Sequence, residues 1–434
     1  MQVNRAPLGL PDSALHPPFD AALASLLAPP RAGETLAVAL SGGIDSLALT
    51  LLTHRYTQRH GLGMIAVTVD HGVRAGARQE AETVAEWMRA RGIAHRILTP
   101  EHDTTSTNLQ ASARQRRYDA IATYCRAHGI VHCLLGHQAG DNRETLLHNR
   151  TRGDTADGRA GMARVRLHRG VRFLRPLLAF ERTALETYMR ASHTPWIEDP
   201  SNENFAFARV RHRAWLAQDA STHAALNAEI LSAAQARATR DQTLAEAAIH
   251  CVRLDPLGFA DIDCHYLRTL PSLLASQLLA DTITTVSGTA YRPRALSIER
   301  LMSALNQPLR RHTLHQCDIL ALDASHWRIA REFRKVAAPQ NLSGHGSIRW
   351  DNRFDIRYAL DPGQHITIRA LGGDGRKQLR AHHPLPHLPL PLSTPSLWHL
   401  DSLLSVPYIM TAEKPLTLRM DFSPAKALAA APFW

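Results

Sequence analysis

Apolar positions in the first half of the chain alternate between short continuous runs and helical spacings. Leu36 to Leu40 is an apolar run of strand length, and Leu47, Leu49, Leu51 and Leu52 then recur at the spacing of a helix from Asp45 to about Arg59. The same reading predicts a strand at Met64 to Val69, a helix at Arg78 to Arg91 and a strand at His95 to Leu98. A long helix from Asn108 to His128, a strand at Ile130 to Leu135 and a helix from Asp141 to Asn149 continue the series. Strands alternating with helices predict an α/β fold, a parallel sheet with helices on both faces. Such sheets bind ligands at the carboxyl ends of their strands.

Further on, Asp219 to Ala248 is rich in Ala, Leu, Glu, Gln and Arg, lacks Gly and Pro, and predicts one long helix. The pattern stays mostly helical to about residue 325. Beyond Trp327, Ser347 to Trp350 and Ile366 to Arg369 alternate like strands, and Pro384 to Pro395 is proline-rich. The expected organisation is an N-terminal extension (1–32), a catalytic domain (33–218), a helical domain (219–325) and a small α/β or β-rich C-terminal domain (326–434).

Between the first strand and its helix stands Ser41-Gly42-Gly43-Ile44-Asp45-Ser46. A glycine turn feeding a helix N-terminus is an anion site, because unpaired N–H groups and the positive end of the helix dipole point into it. Ser41 and Ser46 add hydroxyls. Asp45 would repel a bare phosphate, which suggests a magnesium ion bridging carboxylate and polyphosphate. The turn lacks the lysine that ends a Walker loop.

Composition narrows the class. With 434 residues and 44% hydrophobic positions, the chain has room for two or three domains. No apolar run approaches the roughly 18 residues of a membrane span. Pro7, Pro11 and Asp12 break the segment where a secretory peptide would be continuous, so a cytoplasmic enzyme is expected. The five cysteines form no CxxC pair and the 25 histidines no HExxH pair, which argues against disulfides and zinc. The net charge of +11 points to a polyanionic partner. It is mostly arginine, clustered at Arg150, Arg152, Arg159, Arg164, Arg166, Arg169, Arg172 and Arg175, then at Arg209, Arg211 and Arg213, where guanidinium forks would suit phosphates.

Further candidates fall at the expected strand ends. Val69-Asp70-His71-Gly72-Val73-Arg74 closes the second strand, and His71 is a plausible proton carrier. Arg114, Arg117 and Tyr118 share one helix face. Gly136-His137-Gln138-Ala139-Gly140-Asp141-Asn142-Arg143-Glu144-Thr145 follows the fourth strand. There Asp141 and Glu144 are good capping residues that could equally hold magnesium or orient a nucleophile. Arg175-Pro176-Leu177-Leu178, Trp196-Ile197-Glu198-Asp199-Pro200-Ser201-Asn202 and Arg209-Val210-Arg211 come later.

The hexapeptide resembles the pyrophosphatase loop of the N-type ATP pyrophosphatases. The ordered set SGGIDS, VDHGVR, ARQRRY, GHQAGDNRET, RGDTADGRAGM, RPLL, WIEDPSN and RVR, from Ser41 to Arg211, resembles the tRNA(Ile)-lysidine synthases. That resemblance implies a PP-loop ATPase fold of the adenine nucleotide alpha hydrolase type, with residues 219–325 as a tRNA-binding or substrate domain. It implies ligation of free L-lysine to the wobble cytidine of a tRNA(Ile) with a CAU anticodon, with ATP consumed to AMP and pyrophosphate. Ser41, Gly42, Gly43, Ile44, Asp45 and Ser46 would bind ATP, with Asp45 and Asp141 on magnesium. Asp45, His71, His137, Asp141 and Glu144 would serve the chemistry, and Arg114, Arg117, Arg175, Asn202, Arg209 and Arg211 would contact tRNA or substrate. A homodimer is compatible with this reading.

The family commonly shows GHHxDDQxET, where this chain has Gln138, Gly140 and Asn142. A tRNA thiolase on the same loop and a tRNA-binding protein without catalysis are the alternatives. The catalytic domain holds only Cys125 and Cys133, which do not suit a thiolase. If the arginine excess serves tRNA phosphates, affinity for tRNA measured by filter binding is expected to fall steeply and linearly in log–log form with salt. A flat response would remove that role.

Overall fold

The computed structural model describes residues 13–27, 33–70, 76–99, 109–153, 155–198, 212, 215–216, 221–305, 311–382, 390–410 and 417–428. They fall into two compact units, one running to Arg240 and the other starting at Asp241. In the first unit, α1 (His16–Ala24) precedes β1 (Thr35–Ala39), α2 (Ile44–His60), β2 (Gly63–Val69), α3 (Ala77–Ala90) and β3 (His95–Leu98). Then come α4 (Leu109–Ala127), β4 (His132–Leu134), α5 (Ala139–Arg152), α6 (Ala156–Arg159), β5 (Val165–His168), β6 (Val171–Leu174) and α7 (Arg182–Ala191). Helix α8 (Thr222–Cys251) runs across the division.

The six strands lie in the order β3-β2-β1-β4-β6-β5. All neighbours pair in parallel except β5, which closes an antiparallel hairpin on β6. Alternation along β1 sends Leu36 and Val38 into one apolar layer with α2 and α7, and Ala37 into the other with Tyr118, Ile121 and Cys125 of α4. The sheet is therefore covered on both faces, as its sequence pattern predicts. The chain winds outward from β1 to β3, then returns to place β4 on the other side of β1. That reversal opens a crevice outside the carboxyl ends of β1 and β4.

Helix α2 is buried almost all round: Leu47, Leu49, Leu51 and Leu52 are fully enclosed. Each such leucine contributes roughly 1.5–3 kcal/mol by leaving water. Thr50 and Thr53 survive in that setting because their hydroxyls donate to the carbonyls of Ser46 and Leu49, both at 2.7 Å. A polar group buried without such a partner would oppose the packing. The glycine turn is thus carried by a strand and a helix that are both deeply packed.

The stretch from 252 to 331 departs from the mostly helical expectation. Helices α9 (Cys264–Thr269), α10 (Ser272–Ser287) and α11 (Ala295–Ala304) are present. They share a core with an antiparallel sheet of order β7-β8-β11-β10-β9, built from Val252–Leu254, Ala260–Asp263, His326–Arg331, Cys317–Ala321 and Arg311–Leu314. These strands are three to six residues long, too short for alternation to separate them from turns. The expected boundary at 325/326 lies in the hairpin between β10 and β11, inside one sheet. Beyond it, β12 (Gln340–Leu342), β15 (Ile366–Ala370), β16 (Pro395–His399) and β17 (Ser402–Ser405) form one sheet. Strands β13 (His345–Trp350), β14 (Phe354–Ala359) and β18 (Thr417–Phe422) form another, and α12 (Gly372–His382) completes the unit. Among the described residues no helix is long and apolar enough to cross a membrane.

One polar chain runs across β1, β2 and β3 next to the glycine turn. Thr68 Oγ1 donates to the carbonyl of Leu40 at 2.8 Å. Its single proton is then spent, so the 2.8 Å contact to His95 Nε2 is an imidazole N–H donating to Thr68. Burial pushes the His95 pKa down to about 4. The neutral form is therefore the one that folding favours, and this stability is present above pH 6.5 and lost as pH falls from 6.5 towards 4. Urea denaturation of His95→Gln is expected to show a shallower loss of stability across that window than the parent. Parallel curves would contradict the assignment.

Candidate active site at the sheet's switch point

The turn after β1 is shaped by lack of space. Gly42 has φ +85°, a left-handed conformation that favours glycine, and a Cβ there would come 2.9 Å from Val84 Cγ2 and 3.0 Å from Ile197 Cδ1. Its carbonyl accepts the backbone N–H of Ile197 at 2.9 Å, so the Trp196-Ile197 segment seats directly on the turn. Gly43 is the N-cap of α2 in an extended conformation. Ser46 Oγ donates to the Gly43 carbonyl at 2.8 Å and lies 3.2 Å from both the amide and the hydroxyl of Ser41. The two serines fold the hexapeptide into a closed cradle, and Ser41 is exposed at its rim.

The segment after β4 closes the other side. A Cβ on Gly136 would lie 3.0 Å from Ser46 Cα, 3.1 Å from the Asp45 carbonyl oxygen and 3.1 Å from Ser46 N. All three are backbone atoms of the turn, so only glycine lets β4 deliver His137 and α5 this close. The sequence reading passed over Gly136, although a glycine directly after an apolar strand was its available signal. Helix α5 then brings Asp141 and the buried Glu144 to the same edge of the sheet. Asp70, at the end of β2, is also buried, with Arg78 Nη1 4.0 Å from its carboxylate.

Asp45 lies in the first turn of α2, and Arg182 Nη1 stands 3.7 Å from its Oδ2. Asp141 uses Oδ2 to accept the Gln138 amide at 3.0 Å. Among the described residues no group of three His, Cys, Asp or Glu side chains forms a metal cage. Magnesium suits such a site, because it takes one or two carboxylates and completes its shell with phosphate oxygens and water. Asp45 and Asp141 are the carboxylates at this edge that could hold such an ion.

Two of the three departures from the family pattern are directly linked, and the third packs against a different segment. Gln138 is the N-cap of α5, and its Oε1 accepts the Gly140 amide at 2.5 Å, while Asp141 reciprocates to the Gln138 amide. A Cβ at Gly140 would sit 3.0 Å from that same Oε1, so a glutamine cap and a glycine at 140 go together. Asn142 Oδ1 accepts the Met162 amide at 2.7 Å and packs where a Cβ on Gly161 would otherwise be. Arg143 makes a two-pronged contact with Glu181, both bonds 2.7 Å, which together with lesser effects holds the Glu181 carboxyl below its usual range against the opposing effect of burial.

Arg175 stands at the end of β6 and is buried. Its Nε donates to His137 Nδ1 at 3.3 Å, Nη1 to the Ala163 carbonyl at 2.6 Å and Nη2 to the Tyr118 hydroxyl at 3.3 Å. The guanidinium of Arg166 lies 4.6 Å from the centre of the Tyr118 ring and that of Arg114 5.9 Å. Burial pushes the Tyr118 pKa up, but the charges of Arg175, Arg114 and Arg166 and the Arg175 hydrogen bond outweigh it, leaving the phenol below its ordinary value. Arg175, expected as a substrate contact, is therefore an interior connector. Much of the arginine cluster is similarly engaged: Arg150 with Glu229, Arg164 with Ser25, Arg169 with Asp119 and Arg172 with the Leu26 carbonyl. Arg114 and Arg117 are exposed on α4. His71, Asn202, Arg209 and Arg211 lie outside the described residues.

A serine-lined glycine cradle at the switch point of a parallel sheet defines a nucleotide-binding α/β protein of the PP-loop class, and the PP-loop domain family matches residues 15–220. The chain is 33% identical over 394 residues to a tRNA(Ile)-lysidine synthase of Ruegeria pomeroyi, covering 87% of this chain and 89% of that one. It is 30% identical over 352 residues to the Wolbachia pipientis protein of that name, covering 77% and 80% of the two chains. With the Mesorhizobium japonicum protein of that name it shares 34% over 355 residues, 77% and 73% of the two chains. The chain belongs to the tRNA(Ile)-lysidine synthase family.

The linked cap has a measurable signature. Gly140→Asp alone and Gln138→His alone are each expected to destabilise the first unit, by about 1 kcal/mol as for loss of a helix cap. The double variant is expected to lose less than their sum, with a coupling of about 0.5–3 kcal/mol in a denaturation cycle. Strict additivity would show the departures to be independent.

Proposed function

We propose that this chain joins L-lysine to the wobble cytidine of tRNA(Ile) bearing a CAU anticodon, consuming ATP and releasing AMP and pyrophosphate. The observation that carries the reading is the meeting of the Ser41–Ser46 cradle with Gly136 and α5 at the switch point, in a chain of this family. The cradle's amides and the α2 dipole hold the pyrophosphate portion of ATP. The cytosine carbonyl oxygen attacks the α-phosphate and pyrophosphate leaves. The lysine ε-amine then attacks the activated ring carbon and AMP departs with the former carbonyl oxygen.

Magnesium, held by Asp45 with Asp141 as its second candidate, would neutralise charge on the phosphates. The protein's own contribution is preorganised donors at the developing negative charge. The amine must lose a proton from an ordinary pKa of about 10.4, and His71, His137 and Asp141 are the candidates to assist. Exposed Arg114 and Arg117 on α4, with Asn202, Arg209 and Arg211, suit contacts to tRNA phosphates and unstacked anticodon bases. A cytoplasmic setting follows from the substrate.

Incubating purified protein with ATP, labelled lysine and the tRNA is expected to yield lysidine on nucleoside analysis, with one pyrophosphate released per nucleoside formed. Asp45→Ala is expected to lower the rate by about 10²-fold or more, the scale of losing one electrostatic stabiliser. Sulfur incorporation without lysine would identify a thiolase, and tRNA binding without pyrophosphate release would identify a non-catalytic binder. Unchanged turnover in Asp45→Ala would remove that residue from the magnesium site.

A further inference from the structure

Helix α7 begins with a residue that helix stability does not explain. Arg182 is its first helical position, where the positive end of the helix dipole opposes a cation. Its side chain stays 46% exposed and makes two ion pairs, with Nη1 3.7 Å from Asp45 Oδ2 and Nε 3.0 Å from Glu186 Oε1. An exposed pair of this kind contributes at most about 1 kcal/mol. The bond to Glu186 is its one hydrogen bond among the described residues, and 3.7 Å is beyond hydrogen-bond reach. The far end of the guanidinium therefore stands beside Asp45 without being hydrogen-bonded to it.

The backbone that carries Arg182 is fixed on two sides. The Phe180 carbonyl accepts the Ala139 N–H at 2.9 Å, which joins the approach to α7 to the first residue of α5. Glu181 receives both prongs of Arg143, a second tie to α5. Leu185, Tyr188 and Met189 then pack into the core that holds Leu47, Leu51 and Leu52 of α2. The start of α7 is thus bound to α2 and to α5, the two helices that border the glycine turn, and its arginine reaches the first turn of α2. Asp45 by itself opposes a phosphate there. A guanidinium at this distance offsets that charge and brings planar donors that match phosphate oxygens.

We propose that Arg182 is a phosphate-contacting residue of the ligation, its guanidinium donating from the α7 side to the pyrophosphate portion of ATP and to the pyrophosphate that leaves. The inference rests on the Ser41–Ser46 turn being the phosphate site. It supplies a protein cation to the negative charge that develops on the leaving group. It also accounts for an arginine at a position where a helix favours an acid.

The test is calorimetric titration of the parent protein, Arg182→Gln and Arg182→Lys with inorganic pyrophosphate in buffer containing magnesium. Arg182→Gln is expected to weaken pyrophosphate binding at least about tenfold, the scale of one charge-assisted contact. Arg182→Lys is expected to recover part of that loss, because it restores the charge without the planar fork. Both variants are expected to melt within about 4 °C of the parent, since the ion pairs they lose are exposed. Parental affinity in Arg182→Gln would overturn the proposal. Equal loss in both variants, or a loss that comes with a larger fall in melting temperature, would mark a structural tie and overturn it too. A parent protein that binds no pyrophosphate would overturn the phosphate reading of the turn and this inference with it. Because the titration involves neither lysine nor tRNA, its outcome is separate from that of the lysidine assay.

Discussion

Close backbone approach at two glycines is the constraint on which the rest of this site depends. Gly42 is closed in by Val84 and Ile197, and Gly136 by the backbone of Asp45 and Ser46, so neither position has room for a side chain. The turn gathers its backbone N–H groups at the start of α2, and any residue that pushed β4 away from β1 would separate this turn from α5. Deep burial of β1 and α2 makes this geometry stiff, because leucines enclosed on every side leave little freedom to yield. The reactive edge is thus set by packing on the inside of the sheet.

The same logic changes the meaning of the arginines. A chain of net charge +11 invites the view that its guanidiniums face a polyanion. Instead, Arg143, Arg150, Arg164, Arg169, Arg172 and Arg175 tie helices, strands and turns of the first unit to one another. Most of these contacts are partly exposed, and an exposed pair contributes little. The Arg175 and Arg143 contacts differ because both side chains are buried, and removing a partner there strands a desolvated group. Arg114, Arg117 and Arg182 are exposed, and Arg182 faces both Asp45 and Glu186.

Much of the first unit was legible from the sequence because its signals are local. An apolar run followed by a glycine turn and a helical leucine spacing marks β1, the cradle and α2 without knowledge of distant contacts. The antiparallel sheet of the second unit was not legible: Val252–Leu254 and Ala260–Asp263 acquire strand character only by pairing with each other and with His326–Arg331. The link between Gln138 and Gly140 was not legible because a sequence shows residue types and not shared space. Arg175 stands out in the sequence as a candidate substrate contact, whereas its buried place between His137 and Tyr118 depends on β6 and α4 meeting across the sheet.

The account reduces to a claim about where the nucleotide's phosphates sit. Calorimetric titration with a nonhydrolysable ATP analogue, comparing the parent protein with Gly136→Ala, tests that claim most directly, since the added methyl group meets three backbone atoms of the Asp45–Ser46 peptide. With folding verified by circular dichroism, the affinity is expected to fall at least about tenfold, or about 1.4 kcal/mol. Undiminished affinity in a folded Gly136→Ala protein would place the phosphates elsewhere and contradict the account.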